Sequence, residues 1–317
     1  MNKHSTKKTI DFLIPVYNEE ENIDFLIEKL DEFSKKFIDR ISIRYMFVDD
    51  GSQDATYNKL INIRKNNNKV QILKLSRNFG KENALTAGLD NIESDACIIF
   101  DADLQDPLSA ANEMILKWEE GFDCVVGKRV DRSEDTFLKK FTASIFYKFH
   151  NFISEEKIPE NVGDFRLISK RVIKSIRSLK EKNRFMKGIL PWVGYETYIV
   201  EYTRDKRKAG KTKFNYAQLF SLAREGITSF SIFPLRISQF LGFIGIITSL
   251  ILGVYVIVET IVGDTPDGIP IVILLILLFG SLNLFSLGII GEYVGKNYLE
   301  SKNRPVYIIA ERNIDQE

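Results

Sequence analysis

Acidic residues directly follow three apolar segments of this sequence. The first segment ends in Pro15-Val16-Tyr17-Asn18-Glu19, the second in Asp49-Asp50-Gly51-Ser52, and a later one in Asp101-Ala102-Asp103. Each group alone has an ordinary explanation as a turn or as the start of a helix. Carboxylates gathered in one place repel one another, however, unless a cation lies among them. The three groups together therefore indicate a cation site.

The donor atoms in the third group favour a hard divalent cation. The carboxylates of Asp101 and Asp103 and the amide of Gln105 supply oxygen ligands, which suit Mg²⁺ or Mn²⁺ bridging a diphosphate. No G-x-G-x-x-G follows the first apolar run, and no G-x-x-x-x-G-K-[ST] occurs in the chain. A dinucleotide oxidoreductase and a P-loop NTPase therefore both lack their phosphate-binding loop. We predict a nucleotide diphosphate held by a metal.

Apolar runs alternate with helical patterns over about the first 150 residues. Continuous apolar strands that alternate with helices predict a mostly parallel, doubly wound α/β sheet. Ligands bind such sheets at the carboxyl ends of the strands, where the acidic groups stand. The predicted strands are Thr9–Val16, Ile43–Val48, Val70–Leu75, Ala96–Phe100 and Asp123–Val126, and the predicted helices are Asn22–Phe37, Asp54–Arg64, Lys81–Asn91 and Asn112–Glu120.

Two long apolar stretches lie in the last quarter of the chain. Ile237–Val258 and Gly268–Gly291 carry no charge, and each is long enough to cross a hydrocarbon core of about 30 Å. The aromatic and polar residues before them are typical of a helix in the membrane interface or of one packed on the globular domain. We predict a catalytic domain over 1–213, an amphipathic segment over 214–235, spans over 236–262 and 269–293, and a tail over 294–317.

Charge sets the expected orientation and excludes some partners. Basic residues flank the predicted helical hairpin on its outer sides, so the positive-inside rule places the catalytic domain and both termini in the cytoplasm. With 44 basic and 43 acidic residues in 317, the chain has no basic surplus, so nucleic acid is not an expected partner.

Cys97 and Cys124 lie in apolar runs and are predicted to be buried thiols. The paired spans leave apolar faces that could form a homo-oligomer.

Ordered motifs in this chain resemble the inverting glycosyltransferases of family 2, which have the GT-A fold. The resemblance covers nearly the whole chain and is greatest to the polyprenyl-phosphate group, which contains bactoprenol glucosyltransferases and dolichyl-phosphate mannose synthases. The Q-x-x-R-W motif of the processive polysaccharide synthases is absent, which favours a single transfer. The motifs are PVYNE at 15–19, VDDGS at 48–52, SRNFGK at 76–81, DADLQDP at 101–107, GDFRL at 163–167 and R-x-x-G-x-T-K at 207–213.

The resemblance implies roles for individual residues. Asp101 and Asp103 would face the sugar and the metal, with Gln105 completing the metal shell. Asp164 would be the catalytic base, although a role in orienting Arg166 or the incoming phosphate is equally consistent with a nucleophile that is already an anion. The expected nucleotide-sugar contacts are Pro15, Tyr17, Glu19, Asp49, Asp50, Lys81, Asp101, Arg207 and Lys213, and the expected acceptor-phosphate contacts are Arg129, Arg132 and Arg166.

The function expected from the sequence is transfer of one hexose to a polyprenyl phosphate at the cytoplasmic membrane. UDP-glucose is the preferred donor, with GDP-mannose as an alternative, and undecaprenyl phosphate is the expected acceptor. The product would supply sugar for modification of cell-envelope glycans. Two other hypotheses remain open at this point. One is transfer to another lipid such as diacylglycerol, and the other is a membrane subunit that binds sugar nucleotides without turnover.

Overall fold

The computed structural model describes residues 7–130, 162–179, 181, 186–204, 233–262 and 268–314. These residues divide into two compact units. The first unit contains the described residues up to 204 together with residues 305–314. The second contains residues 233–262 and 268–304. The predicted sites at Arg132, Arg207 and Lys213, and most of the predicted amphipathic segment, lie outside the described residues.

An eight-stranded, mostly parallel sheet forms the centre of the first unit. Its strand order is β7-β5-β6-β4-β1-β2-β3-β8, and β6 and β8 pair antiparallel to their neighbours. The predicted α/β architecture is confirmed. The strands are β1 (Lys8–Val16), β2 (Ile41–Asp49), β3 (Val70–Leu75), β4 (Ala96–Ile99), β5 (Cys124–Arg129), β6 (Val162–Ser169), β7 (Thr197–Tyr202) and β8 (Ile309–Asn313).

Six described helices connect or cover these strands. Their buried faces carry the apolar residues that recur at helical spacing, such as Leu26, Leu30 and Phe33 in the first helix. The fourth helix begins at Leu108, directly after Pro107 and four residues before the predicted start. The helices are α1 (Ile23–Ser34), α2 (Thr56–Arg64), α3 (Lys81–Asn91), α4 (Leu108–Glu119), α5 (Lys170–Ser178) and α6 (Met186–Trp192).

A row of aromatic rings crosses the core beneath the carboxyl ends of the strands. The ring centroids of Phe12 and Phe100 are 5.8 Å apart, those of Phe100 and Phe165 5.7 Å, and those of Phe165 and Tyr202 5.4 Å, all in edge-on geometry. Such pairs stabilise a core beyond the area that they bury. The row connects β1, β6 and β7. It therefore stabilises the part of the sheet whose strand ends carry the polar residues.

Strand β8 comes from the predicted C-terminal tail and was not predicted from the sequence. It pairs antiparallel with β3, and Ser76 N donates to Ile308 O at 2.9 Å. The Tyr57 hydroxyl donates to Glu311 at 2.6 Å, and Lys74 lies 3.1 Å from the same carboxylate. Burial and the bond to Glu311 raise the pKa of Tyr57 to about 12. The segment after the apolar helices is therefore part of the central sheet.

A buried ion pair links β1 to β2. Arg44 Nε donates to Asp11 Oδ1 at 2.8 Å and Arg44 Nη2 to Asp11 Oδ2 at 3.2 Å, while the Asp11 side chain is fully buried.

We expect Arg44→Met to lower the free energy of unfolding by about 3 kcal/mol, because the buried Asp11 carboxylate loses its bidentate partner. The midpoint of thermal unfolding measures this effect. Arg171→Met is the control, since Arg171 forms an exposed pair with Asp123, and an equal shift in both variants would contradict the prediction.

The second unit contains two long helices, α7 (Phe233–Val262) and α8 (Ile269–Ser301). Each includes a window, Ser238–Tyr255 and Leu278–Ser301, that is long and apolar enough to cross a membrane, and neither window is buried within the protein. The helices approach closely at Gly245, where an added Cβ would lie 2.9 Å from the Phe279 ring. Exposed apolar surfaces of this size suit contact with a membrane or with another protein.

Candidate active site

The turns that follow β1 and β2 are hydrogen-bonded to each other at the edge of the sheet where the parallel strands end. Val16 and Asp49 are register partners at the ends of β1 and β2. Asn18 N donates to Ser52 Oγ at 3.0 Å, and Asn18 Oδ1 accepts from Gln53 N at 2.8 Å. Asn18 has a positive φ of 54°, a conformation that asparagine adopts more readily than most residues. Pro15, Tyr17 and Glu19 are half-buried along this turn.

Asp50 joins the second turn to the loop that follows β3. Its carboxylate accepts from Phe79 N at 2.7 Å and from Gly80 N at 2.9 Å. Burial raises the pKa of Asp50, and the two backbone N–H bonds only partly offset this. The loop approaches so closely that a Cβ on Gly51, whose φ is +72°, would lie 2.5 Å from the backbone of Arg77. Glycine at position 51 is therefore a steric requirement.

Asp49 is fully buried beside this junction. Its Oδ1 accepts from Ser52 N at 3.2 Å, and its Oδ2 has no hydrogen-bond partner in the described part of the chain. Burial raises the pKa of Asp49, against smaller opposing effects of Ser52 and Lys74. This residue is thus a poorly satisfied acceptor next to the predicted nucleoside pocket.

Lys81, at the start of α3, brings two predicted catalytic carboxylates together. Its Nζ lies 2.6 Å from Asp101 Oδ1 and 2.8 Å from Asp164 Oδ2. Burial alone would lower the pKa of Lys81, but the charges of Asp164 and Asp101 outweigh it and raise that pKa. Asp101 follows β4 and Asp164 lies on β6, and these strands are antiparallel neighbours in the sheet. The three residues form the charged centre of the site.

Asp103 and Gln105 lie in the turn that leads to α4. Gln105 N donates to Asp103 Oδ1 at 3.2 Å, and the intervening Leu104 has a φ of +52°. The described residues contain no group of three or more His, Cys, Asp or Glu side chains placed to hold a metal ion. The oxygen donors of Asp101, Asp103 and Gln105 still fit Mg²⁺ or Mn²⁺, because such ions are commonly held by one or two carboxylates plus phosphate and water.

Asp106, Tyr202 and Arg204 form a buried network that sequence reasoning missed. Asp106 Oδ1 accepts from the Tyr202 hydroxyl at 2.7 Å and from Arg204 Nε at 3.2 Å. Arg129 Nε donates to the Tyr202 hydroxyl at 3.4 Å, and Arg204 Nη2 lies 4.0 Å from Asp101. Burial raises the pKa of Asp106, whereas Arg204 and Tyr202 act in the opposite direction. The network's only sequence signal is that Asp106 lies in the DADLQDP motif and Arg204 begins a basic run.

Arg166, a predicted acceptor-phosphate contact, lies inside the domain. Its side chain is 3% exposed, and Nη2 donates to Gly163 O at 2.7 Å. A direct contact with an acceptor phosphate would require the side chain to leave this position. Gly163 in turn lies against Arg129, since an added Cβ would be 3.3 Å from Arg129 Nη2. Arg166 therefore supports the backbone that carries Asp164 and faces Arg129.

The model of Glycosyl transferase family 2 matches residues 11–177, and the chain belongs to that family. A prophage bactoprenol glucosyl transferase homolog of Escherichia coli K12 is 46% identical over 95% of this chain and 98% of its own length. The bactoprenol glucosyl transferase of Shigella phage SfX is 46% identical over 96% and 99%. The solved mannosyltransferase PcManGT of Pyrobaculum calidifontis is 13% identical, with a TM-score of 0.46 over 95% of this chain and 77% of its own. The predicted family is confirmed, and the protein is a glycosyltransferase.

Proposed function

We propose that this protein transfers one hexose from a nucleotide diphosphate sugar, UDP-glucose by preference, to undecaprenyl phosphate, with inversion at the anomeric carbon. The observation that carries the proposal is the cluster of Lys81, Asp101 and Asp164 at the carboxyl edge of the sheet. The names of the two bactoprenol glucosyl transferase relatives support the choice of acceptor and sugar. GDP-mannose is the alternative donor.

The donor's nucleoside would bind at the first two turns. Pro15, Tyr17 and Glu19 would supply one side of the pocket, and Asp49 and Asp50 the other, since the ends of β1 and β2 are register neighbours. Because Asp50 binds the amides of Phe79 and Gly80, it also sets the position of Lys81. In this arrangement the diphosphate and the sugar would extend toward Asp101 and Asp103. Arg207 and Lys213, on the basic run, are proposed further diphosphate contacts.

Mg²⁺ or Mn²⁺ would be held by Asp101, Asp103 and Gln105. When bound, the ion neutralises charge on the departing nucleoside diphosphate as a Lewis acid. The acceptor needs little help from a base, since a lipid phosphate is already an anion at neutral pH. Its oxygen forms a bond to the anomeric carbon while the bond from that carbon to the diphosphate oxygen breaks. Attack from the side opposite the leaving group inverts the centre.

Arg129 and Arg132 would bind the acceptor phosphate. Arg129 is held by the Tyr202 hydroxyl, which Asp106 fixes from the other side. A guanidinium fixed in this way loses less side-chain entropy when it binds phosphate. Asp164, bound to Lys81, is proposed to orient the incoming phosphate rather than to remove a proton from it.

Membrane attachment has a direct use in this reaction. Withdrawing a polyprenyl chain from the bilayer costs about 0.8 kcal/mol per methylene, so the enzyme must work at the level of the lipid headgroups. Helices α7 and α8 are proposed to span the cytoplasmic membrane, with the catalytic unit and both termini on the cytoplasmic side. The basic residues Lys296, Lys302 and Arg304 near the end of α8 support this orientation. The product would supply cell-envelope glycan modification.

A donor panel tests the proposed function. Purified protein in detergent receives undecaprenyl phosphate, Mn²⁺ or Mg²⁺, and one radiolabelled donor at a time: UDP-glucose, UDP-galactose, UDP-N-acetylglucosamine or GDP-mannose. We expect label from UDP-glucose in the organic phase, and loss of that label with EDTA. Nucleotide release without lipid label would favour another acceptor such as diacylglycerol. Neither release nor label would favour a binding subunit and contradict the proposal.

Tyr202→Phe should raise the KM for the lipid acceptor several-fold and leave the KM for the donor nearly unchanged. The lost hydroxyl donates to Asp106 and accepts from Arg129, and a hydrogen bond to a charged group is worth about 1.5–3 kcal/mol. Steady-state kinetics with each substrate varied in turn separates the two constants. Tyr195→Phe is the control, because its hydroxyl bonds to the Ser175 hydroxyl at 2.8 Å and its removal leaves Asp106 and Arg129 untouched. An equal effect on both constants would contradict a role at the acceptor side.

A further inference from the structure

Both carboxylate oxygens of Asp101 lie near basic side chains of the protein. Lys81 Nζ lies 2.6 Å from Oδ1, and Arg204 Nη2 lies 4.0 Å from Oδ2. Asp101 is also a proposed ligand of the divalent ion. The Lys81 ammonium and that ion would therefore compete for the same carboxylate.

Lys81 is held in this position from both sides. Its backbone follows the Phe79 and Gly80 amides that Asp50 binds, and its ammonium also lies 2.8 Å from Asp164. The side chain is 41% exposed, compared with 28% for Asp101 and 14% for Asp164. Lys81 is thus the most exposed of the three side chains and the one most accessible to a ligand that enters from solvent.

We propose that Lys81 is the resident counter-ion of the donor-free site, and that it leaves Asp101 for the diphosphate when the nucleotide binds. Without nucleotide, the ammonium neutralises Asp101 and Asp164 and weakens the binding of a divalent ion there. A bound diphosphate brings negative charge that can attract the ammonium, which frees an Asp101 oxygen. This inference rests on the proposed metal site and assigns the order in which nucleotide and ion bind.

Mn²⁺ binding to the full-length protein in detergent tests the proposal without any turnover. Electron paramagnetic resonance measures free Mn²⁺ during a titration, with and without UDP. The wild-type protein should bind Mn²⁺ weakly alone and at least about tenfold more tightly with UDP, a factor equivalent to about 1.4 kcal/mol. Lys81→Gln should bind Mn²⁺ alone at least about tenfold more tightly than wild type.

Two further variants separate charge from structure. Lys81→Arg keeps a cation near Asp101 and should bind Mn²⁺ as wild type does, whereas Arg204→Gln should show a smaller gain because its guanidinium lies farther away. Lys117→Gln removes an exposed lysine that pairs with Glu120 and should change nothing. The comparison of wild-type protein with and without UDP keeps the test informative if Lys81→Gln does not fold, because equal Mn²⁺ affinities under the two conditions would contradict the proposed exchange.

The possible outcomes distinguish a failure of the Lys81 inference from a failure of the proposed metal site on which it rests. If wild-type protein does not bind Mn²⁺ even with UDP, the proposed metal site is wrong. If wild type binds Mn²⁺ with UDP, but Lys81→Gln alone binds it no more tightly than wild type alone does, the resident counter-ion is overturned, whatever Arg204→Gln shows. A gain in Lys81→Gln that Lys117→Gln does not share supports it.

Discussion

Asp103→Asn should lower the rate of hexose transfer by roughly a hundredfold or more, because loss of a preorganised electrostatic contribution at the leaving group typically costs a factor of about 10²–10³. Asp103 lies in the turn next to Asp101, and its Oδ1 accepts from Gln105 N. The amide of asparagine can preserve that bond while removing the charge that the proposed ion needs. Initial rates with the donor identified by the panel measure the effect.

Asp164→Asn should also lower the rate, but by less than Asp103→Asn. The lipid phosphate is already ionised, so the variant loses orientation and the charge facing Lys81 rather than an essential base. Asp24→Asn is the control, since Asp24 forms an exposed pair with Lys59 on the surface. A loss in Asp164→Asn equal to or greater than that in Asp103→Asn would restore the general-base role.

Gly51→Ala should damage both folding and nucleotide binding, because the added methyl group would clash with the backbone at the proposed nucleotide-binding turns. The new Cβ would lie 2.5 Å from the Arg77 carbonyl carbon and 2.8 Å from Asn78 N, and alanine would be held at a φ of +72°. Backbone atoms cannot rotate away as side chains do, so Asp50 must separate from the Phe79 and Gly80 amides. We expect a loss of about 3 kcal/mol in stability and UDP binding weakened at least about tenfold.

Gly121→Ala separates backbone strain from steric contact in this experiment. Gly121 also has a positive φ, +113°, but an added Cβ there meets nothing within 4 Å. It should lose only about 1 kcal/mol of stability and bind UDP normally. Thermal unfolding and UDP titration of both variants make the comparison. If Gly51→Ala retained normal UDP affinity, the close approach of these two loops would not matter for nucleotide binding.

The sequence by itself determined the architecture and the edge of the sheet that carries the site. Alternating apolar runs and helical patterns are local signals, and β1, β2 and β3 lie within two residues of their predicted bounds. The acidic groups directly follow β1, β2 and β4 in the chain, so parallel pairing of β1 with β2 and with β4 necessarily brings them to one edge. The family resemblance rests on the same short motifs.

Only the tertiary structure decided which charged groups meet. Lys81 bridges Asp101 and Asp164, and Asp106 binds Tyr202 and Arg204, which come from distant parts of the chain. Strand β8 joins β3 across more than two hundred residues. These contacts depend on the order of strands in the sheet and on side-chain burial, which hydrophobic periodicity does not encode. Short-range patterns therefore predicted the elements, while long-range packing determined the electrostatics of the site.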